Sequence, residues 1–336
     1  MRYSLNTVKR KRTLSGWPAM FTTFSICLLC WGAGCIFSTG IPLAADSVVL
    51  PFWDIVCAWL DNRYTGYLFG FLLMLLTAFI IQRISDIEVL ISERTQLVFL
   101  FFVLLTSTNV ALLPFGSVTI VLLCLVFMIN ELFTAYQLPD ATGKMFNAGV
   151  LLGVAGLFMP QVLWFLPLLW IGMYQFLSLN YRSFMASLIG VMIIYWFVLA
   201  WCVWRSDFSM FSAMYVSLAD FEFLGFVRPF LLYKAGFAGI ILFLIPVLFH
   251  VKSDAVNNRI RVRKILSFLL NMSIWSLILT CLYGGSADSF LAILYLPASV
   301  LNAYFFENMN NRFRLWLYYF ILALCVFSFV TRLWNF

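Results

Sequence analysis

Apolar stretches of about twenty residues recur along the whole of this chain, and a stretch of that length is what a helix needs to cross a bilayer. They fall at 18–42, 66–82, 96–113, 117–136, 146–159, 161–179, 184–204, 229–251, 265–284, 288–305 and 315–333. Over the whole chain only 10% of the residues are charged, and 64% are hydrophobic. A soluble domain carries about 25% charged residues because its surface faces water. Too little charge is left here to coat a globule of 336 residues, so lipid is the expected solvent. The expected fold is all-α, a polytopic transmembrane helical bundle of about eleven spans. Residues 1–17 form a basic cytosolic N-terminus and 18–336 a single transmembrane helical domain. The run from Trp17 to Leu43 is far longer than the 7–15-residue core of a signal peptide, so it reads as an uncleaved first span.

The charges set the expected orientation. With the N-terminus inside and the C-terminus outside, the outer side keeps Arg63, Arg205, Arg228, Lys234 and Arg332, and the other 16 of the 21 Lys and Arg residues are cytosolic. Loop charge orients membrane proteins in this sense. The weak place is Pro160, because 146–159 is short for a span at about 1.5 Å per residue. A single kinked crossing over 146–179 would put the basic loop Lys252–Lys264 outside, so a hairpin reversing at Pro160 is predicted.

Several chemistries are excluded by what is missing. There is no P-loop and no Rossmann glycine fingerprint. His250 is the sole histidine, and it reads as a helix C-cap rather than a zinc ligand or triad base. The basic residues sit at span ends without forming a stripe, which argues against nucleic acid as a partner. Cys27 and Cys30 form a C-x-x-C inside an apolar helix, where they read as small packing residues. Gly149, Gly153 and Gly156 form a small-residue seam suited to close helix packing.

Two outer loops carry the candidate chemistry. In 43–64, Phe52, Ile55, Val56, Trp59 and Leu60 recur at helical spacing, with Asp54 and Asp61 on the opposite face, as in a helix lying in the membrane interface. Asp46, Asp54 and Asp61 are the candidate catalytic residues. Carboxylates there can act as general bases, or bind a divalent cation beside a phosphate. The alternative is that Asp46 caps a helix and the other two solvate an interfacial face. In 205–228, Phe208, Phe211, Tyr215 and Leu218 share one face, with Ser209, Ser212 and Asp220 nearer the other, which predicts a second interfacial helix. No metal-ligand cluster is read in the chain, and no resident cofactor beyond that candidate cation.

Inside the apolar runs, Glu131 beside Asn130 is the clearest ionisable feature. Burying such a charge is costly, so it marks either a proton or ion site or a structural pairing near the cytosolic end. Thr106, Ser107, Thr108 and Asn109, followed by Pro114, make a polar break in the third span. The break is a transporter-like feature, although Ser and Thr also bond to their own helix backbone.

Two resemblances add to this reading. The segments ISERTQLVFLFFVLLTS (91–107) and FNAGVLLGVAGLFMPQVLWFLPLLWIGMYQFLSLNYRSFMASLIGV (146–191) resemble an uncharacterised family of bacterial inner-membrane proteins. The G-x-x-x-G-x-x-G span, its turn and the Pro-containing span after it are similar to the middle of GT-C-type glycosyltransferases. That second resemblance implies a polyprenyl-phosphate sugar donor and a catalytic acid in the first outer loop, which falls among Asp46, Asp54 and Asp61. It also makes 205–228 a substrate-covering loop, with Arg205 and Arg228 as phosphate partners and Asp220 beside them. The first loop departs from the pattern in lacking an adjacent acidic pair and tyrosines. The alternatives to a transferase are a non-catalytic scaffold or subunit of the cell envelope, and a small-solute or lipid transporter built on Thr106–Asn109 and Glu131.

Overall fold

The computed structural model describes residues 17–37, 62–90, 96–138, 140–206, 208–223, 247, 259–308 and 311–334. Among them the secondary structure is helical throughout. In chain order the α-helices are α1 (Trp17–Phe37), α2 (Arg63–Ile87), α3 (Leu97–Ser107), α4 (Ser117–Thr134), α5 (Thr142–Phe158) and α6 (Leu166–Gln175). They continue as α7 (Tyr181–Arg205), α8 (Ser209–Ala219), α9 (Ile260–Leu282), α10 (Ala287–Asn308) and α11 (Asn311–Trp334). Short 3-10 turns occupy Val110–Leu112, Pro160–Phe165 and Gly284–Ser286.

Five stretches, Tyr64–Ile87, Ser117–Thr134, Tyr181–Arg205, Ile260–Leu282 and Gly284–Glu307, are long and apolar enough to cross a bilayer. At about 1.5 Å per residue, their 18–25 residues extend roughly 27–37 Å, against a hydrocarbon core of about 30 Å. The apolar stretches of α1, α3, α5 and α11 are shorter. This is a helical membrane protein. Ten of the eleven predicted segments coincide with described helices, and the eighth, 229–251, lies outside the described residues apart from helical Val247.

Contacts between remote residues fix the direction of each helix. At one end, the Gln137 N–H donates to the Phe176 carbonyl (3.0 Å), and Lys144 Nζ donates to the Thr134 carbonyl (3.1 Å). The end of α4, the start of α5 and the end of α6 therefore lie together, so the chain reverses across Pro160. The predicted hairpin is present. Its first arm packs mainly on α7, where Gly149 lies against the Ser187 carbonyl and Gly190 against that of Phe146. The glycine seam thus brings two backbones together.

The same end joins the tail of α2 to the head of α9, through an ion pair of 2.7 Å between Glu88 and Arg261. The Arg261 guanidinium also lies 5.5 Å over the Tyr136 ring. Arg83, Lys144, Arg182, Arg259, Arg263 and Lys264 all belong to helix termini gathered here, which makes this the basic end. At the opposite end, the turn between α3 and α4 docks on α2, with the Phe115 N–H donating to the Gly66 carbonyl (3.0 Å). A Cβ on Gly70 would come 2.5 Å from the Leu113 carbonyl oxygen, so only glycine permits this approach. Gly34 lies against Leu113, which places the end of α1 here too, and the hydrogen bond of 2.7 Å between Thr23 and Tyr318 sets the early turns of α11 beside those of α1. At the centre is α10, whose membrane-length window is 94% buried despite Pro297 within it.

Candidate functional site

The end opposite the basic one is built around Tyr283, which caps α9 and is buried. Its hydroxyl donates to the Leu218 carbonyl (2.6 Å) and accepts from Trp164 Nε1 (2.7 Å). The Trp164 carbonyl accepts from Trp275 Nε1 (2.8 Å), and Gln161 Nε2 donates to the Ser217 carbonyl (3.3 Å). The Gly284 N–H donates to the Glu222 carbonyl (2.9 Å). Phe221 packs against Tyr283 and Trp164 at 5.0 and 6.3 Å, and Phe290 stacks on Tyr283 at 5.5 Å. These bonds pin the C-terminus of α8 to the Pro160 turn and to the α9–α10 turn.

The pinned segment carries carboxylates. Asp220 and Glu222 are exposed on it, and Asp288 lies half-buried in the first turn of α10, where a carboxylate complements the helix dipole. Burial raises the Tyr283 phenol above its usual value. The Trp164 hydrogen bond opposes that shift and the charge of Asp220 adds to it, so the phenol remains a neutral donor near pH 7. Asn109, fully buried, donates to Asp288 Oδ1 at 3.3 Å. This end therefore gathers Asp220, Glu222 and Asp288, together with Arg63, Arg205 and Arg332 near the ends of α2, α7 and α11. Among the described residues no three His, Cys, Asp or Glu side chains converge as metal ligands.

Beside this polar platform lies an apolar groove of about 660 Å³ between α7, α8 and the Pro160 turn. Met192, Trp196 and Leu199 line one wall, Phe211 and Met214 another, and Leu163 the base. A helix predicted in this loop is present as α8, and its Phe211, Met214 and Leu218 face turns towards α7. Ser206, left-handed at φ 54°, caps α7 and lets the chain turn back into α8.

The sequence candidates are distributed unevenly. Asp46, Asp54, Asp61 and Arg228 lie outside the described residues. Arg205 is exposed, its guanidinium 5.3 Å over the Trp201 ring, and Asp220 ends α8. Both are at the end opposite the basic one. Glu131 and Asn130 are half-buried near the basic end of α4, roughly 21 Å along that helix from Ser117. Asn109 is at the other end, so the polar residues of the transporter reading do not share one site. Thr106, Ser107 and Thr108 bond to carbonyls of their own helix, those of Phe102 and Val103, Val103, and Leu105 respectively. Tyr283, Trp164, Glu222 and Asp288 were not singled out from sequence. The one local signal was the Y-G-G break between two apolar runs, followed by an acidic first turn.

A family of unknown function (DUF6427) matches residues 47–336, and the chain belongs to that family. No curated protein and no solved structure matches it.

Proposed function

We propose that this is a multi-pass protein of a bacterial inner membrane, its basic end in the cytosol, working at the opposite face on a lipid-linked substrate. The reading that fits best is a GT-C-like glycosyltransferase-type protein acting on a polyprenyl-phosphate-linked sugar. The observation that carries it is the platform at the end opposite the basic one. There a short helix and two turns are locked together by Tyr283 and Trp164, presenting Asp220, Glu222 and Asp288 where the helices end. A lipid-borne polar group reaches that level of the membrane, and carboxylates held there can take or give a proton to it. In this reading Asp46, Asp54 or Asp61 supplies the catalytic acid or base. Arg205 and Arg228 meet the phosphate, Asp220 contacts the sugar, and any divalent cation sits between carboxylate and phosphate.

The test is a mass-spectrometric survey of lipid extracts from cells lacking the protein. A polyprenyl-phosphate sugar should accumulate, wild type should clear it, and the triple variant Asp46→Asn, Asp54→Asn, Asp61→Asn should not. An unchanged lipid-linked sugar pool in the deletion strain would remove the enzyme reading. The second reading is a scaffold or subunit of the cell envelope, favoured by the broad bare face of α7. There Met192, Trp196, Phe197 and Trp204 are all more than 65% exposed. Stoichiometric co-purification with another envelope protein, lost on replacing Phe197 and Trp204 with Ser, would favour it.

A further inference from the structure

A tryptophan at the end of a membrane helix anchors it by keeping its ring in lipid while the indole N–H reaches headgroups and water. Trp164 is arranged differently. Its Nε1–H is engaged inward, donated to the hydroxyl of the buried Tyr283 at 2.7 Å, although the residue is 40% exposed. The side chain therefore offers ring carbon to the outside, its one polar atom being already bonded. Its setting is also fixed. The Trp164 carbonyl accepts from Trp275 Nε1, and neighbouring Gln161 donates to the Ser217 carbonyl, so the backbone is tied as well as the ring.

A second ring stands beside it. Phe221 lies 6.3 Å from Trp164 at an angle of 53° and is 51% exposed, with Tyr283 packed on it from the buried side. On either side of Phe221 in the chain are the exposed carboxylates Asp220 and Glu222. Glu222 is held on the α9–α10 turn, where its carbonyl accepts from the Gly284 N–H and its Oε2 lies 3.0 Å from the place a Cβ on Gly285 would take. Bare aromatic carbon is thus bordered by charged acceptors. Two half-exposed rings make an open surface and not the enclosing cage that a quaternary ammonium group needs. A sugar ring has the matching chemistry. The C–H bonds on one of its faces lie against a π face, and the hydroxyls at its rim donate to carboxylates in charge-assisted hydrogen bonds.

We propose that the Trp164 indole is the stacking face for the sugar ring of a lipid-linked substrate, with Phe221 as its side wall and Asp220 and Glu222 accepting from the sugar hydroxyls. The proposal rests on the transferase reading and adds to it the residues that recognise the sugar. Trp164 then has two duties, an edge that pins α8 through Tyr283 and a face that meets substrate.

The experiment uses the full chain, purified in mild detergent, with two probes competing under native mass spectrometry. One is undecaprenyl phosphate, and the other is the same lipid bearing a hexose, with glucose, mannose and galactose tried in turn. Wild type should prefer the lipid carrying at least one of these hexoses over the bare lipid by about tenfold, the order of one aromatic contact. Trp164→Leu and Phe221→Leu should lose that preference, and Trp164→Phe should keep most of it. Both Trp164 variants lack the bond to Tyr283, so a role confined to pinning α8 would affect them alike. Trp204→Leu removes a more exposed tryptophan at the same end of the bundle and should change nothing. Should Trp164→Leu fail to fold, Phe221→Leu decides. No preference in wild type, or the same preference in Trp164→Phe and Trp164→Leu, would overturn this proposal while leaving the transferase reading in place. Uptake of neither lipid would overturn both.

Discussion

Replacing Arg261 by Met should damage this protein far more than replacing its partner Glu88 by Gln, although both remove the same 2.7 Å ion pair. The asymmetry follows from burial. The Glu88 side chain is 3% exposed and that of Arg261 is 48% exposed. One Glu88 oxygen, Oε2, is already buried without a partner, so the guanidinium is the carboxylate's main compensation. Taking it away leaves a buried charge unmatched, which costs about 3–5 kcal/mol, and also loses the stacking on Tyr136, worth about 0.5–1 kcal/mol. Glu88→Gln instead leaves a cation that is half in water, where ion pairs are worth about 0–1 kcal/mol. The double variant should recover most of the Arg261→Met loss, because no unmatched charge remains. Thermal unfolding in dodecyl maltoside, followed by intrinsic tryptophan fluorescence, should rank wild type and Glu88→Gln together, the double variant next and Arg261→Met last. Arg261→Met melting no lower than Glu88→Gln would refute the burial argument.

The other predictions concern packing, the platform and one cap. Gly149→Ala sets a Cβ against the Ser187 carbonyl and should cost about 1–3 kcal/mol, whereas Gly143→Ala, with nothing within 4 Å, should be neutral in the same melts. Tyr283→Phe removes the bond to Leu218 and the acceptor for Trp164, and should cost about 1–3 kcal/mol. Faster amide exchange over 209–219 than over 260–282 would locate that loss in α8, and uniform exchange would contradict the pinning role. Asp140 is held below the usual carboxylate range, first by the Thr142 hydroxyl and then by the Thr142 backbone N–H. Its folded value being depressed, the stability it lends is present above the unfolded value and lost as pH falls through the folded one. The gap in melting temperature between wild type and Asp140→Ala should therefore narrow progressively as pH falls below about 4. A gap that does not narrow as pH falls from neutral into that range would assign the effect to something other than the carboxylate charge.

What could be read in advance was local in sequence. Apolar runs marked the helices, the short run before Pro160 together with loop charge predicted the hairpin, and glycines spaced three and four apart gave the α5–α7 seam. The α8 helix was visible from Phe208, Phe211 and Leu218 recurring on one face. The platform was not visible, because it is made of long-range pairs. Trp164 and Tyr283 are 119 residues apart, Leu218 and Tyr283 are 65 apart, and Asn109 and Asp288 are 179 apart. Each residue alone resembles an ordinary interfacial aromatic or a capping carboxylate. Their roles follow from which helix ends the fold gathers, and a hydropathy pattern carries no information about that. The polar break at Thr106–Asn109 shows the same limit. Its hydroxyls bond to carbonyls of their own helix, and three of its residues also reach across, Thr106 to Met74 Sδ on α2, Ser107 to Cys27 Sγ on α1 and Asn109 to Asp288 on α10.

The account depends on the platform end facing away from the cytosol, and site-directed labelling in intact cells tests that directly. Single cysteines placed at Glu222 and at Asp140, both exposed and at opposite ends of the bundle, would be treated with a membrane-impermeant maleimide before and after lysis. The prediction is that Glu222→Cys reacts in intact cells, while Asp140→Cys reacts only once the cells are opened. The reverse pattern would turn the basic end outward and contradict both the orientation and the site of action proposed here.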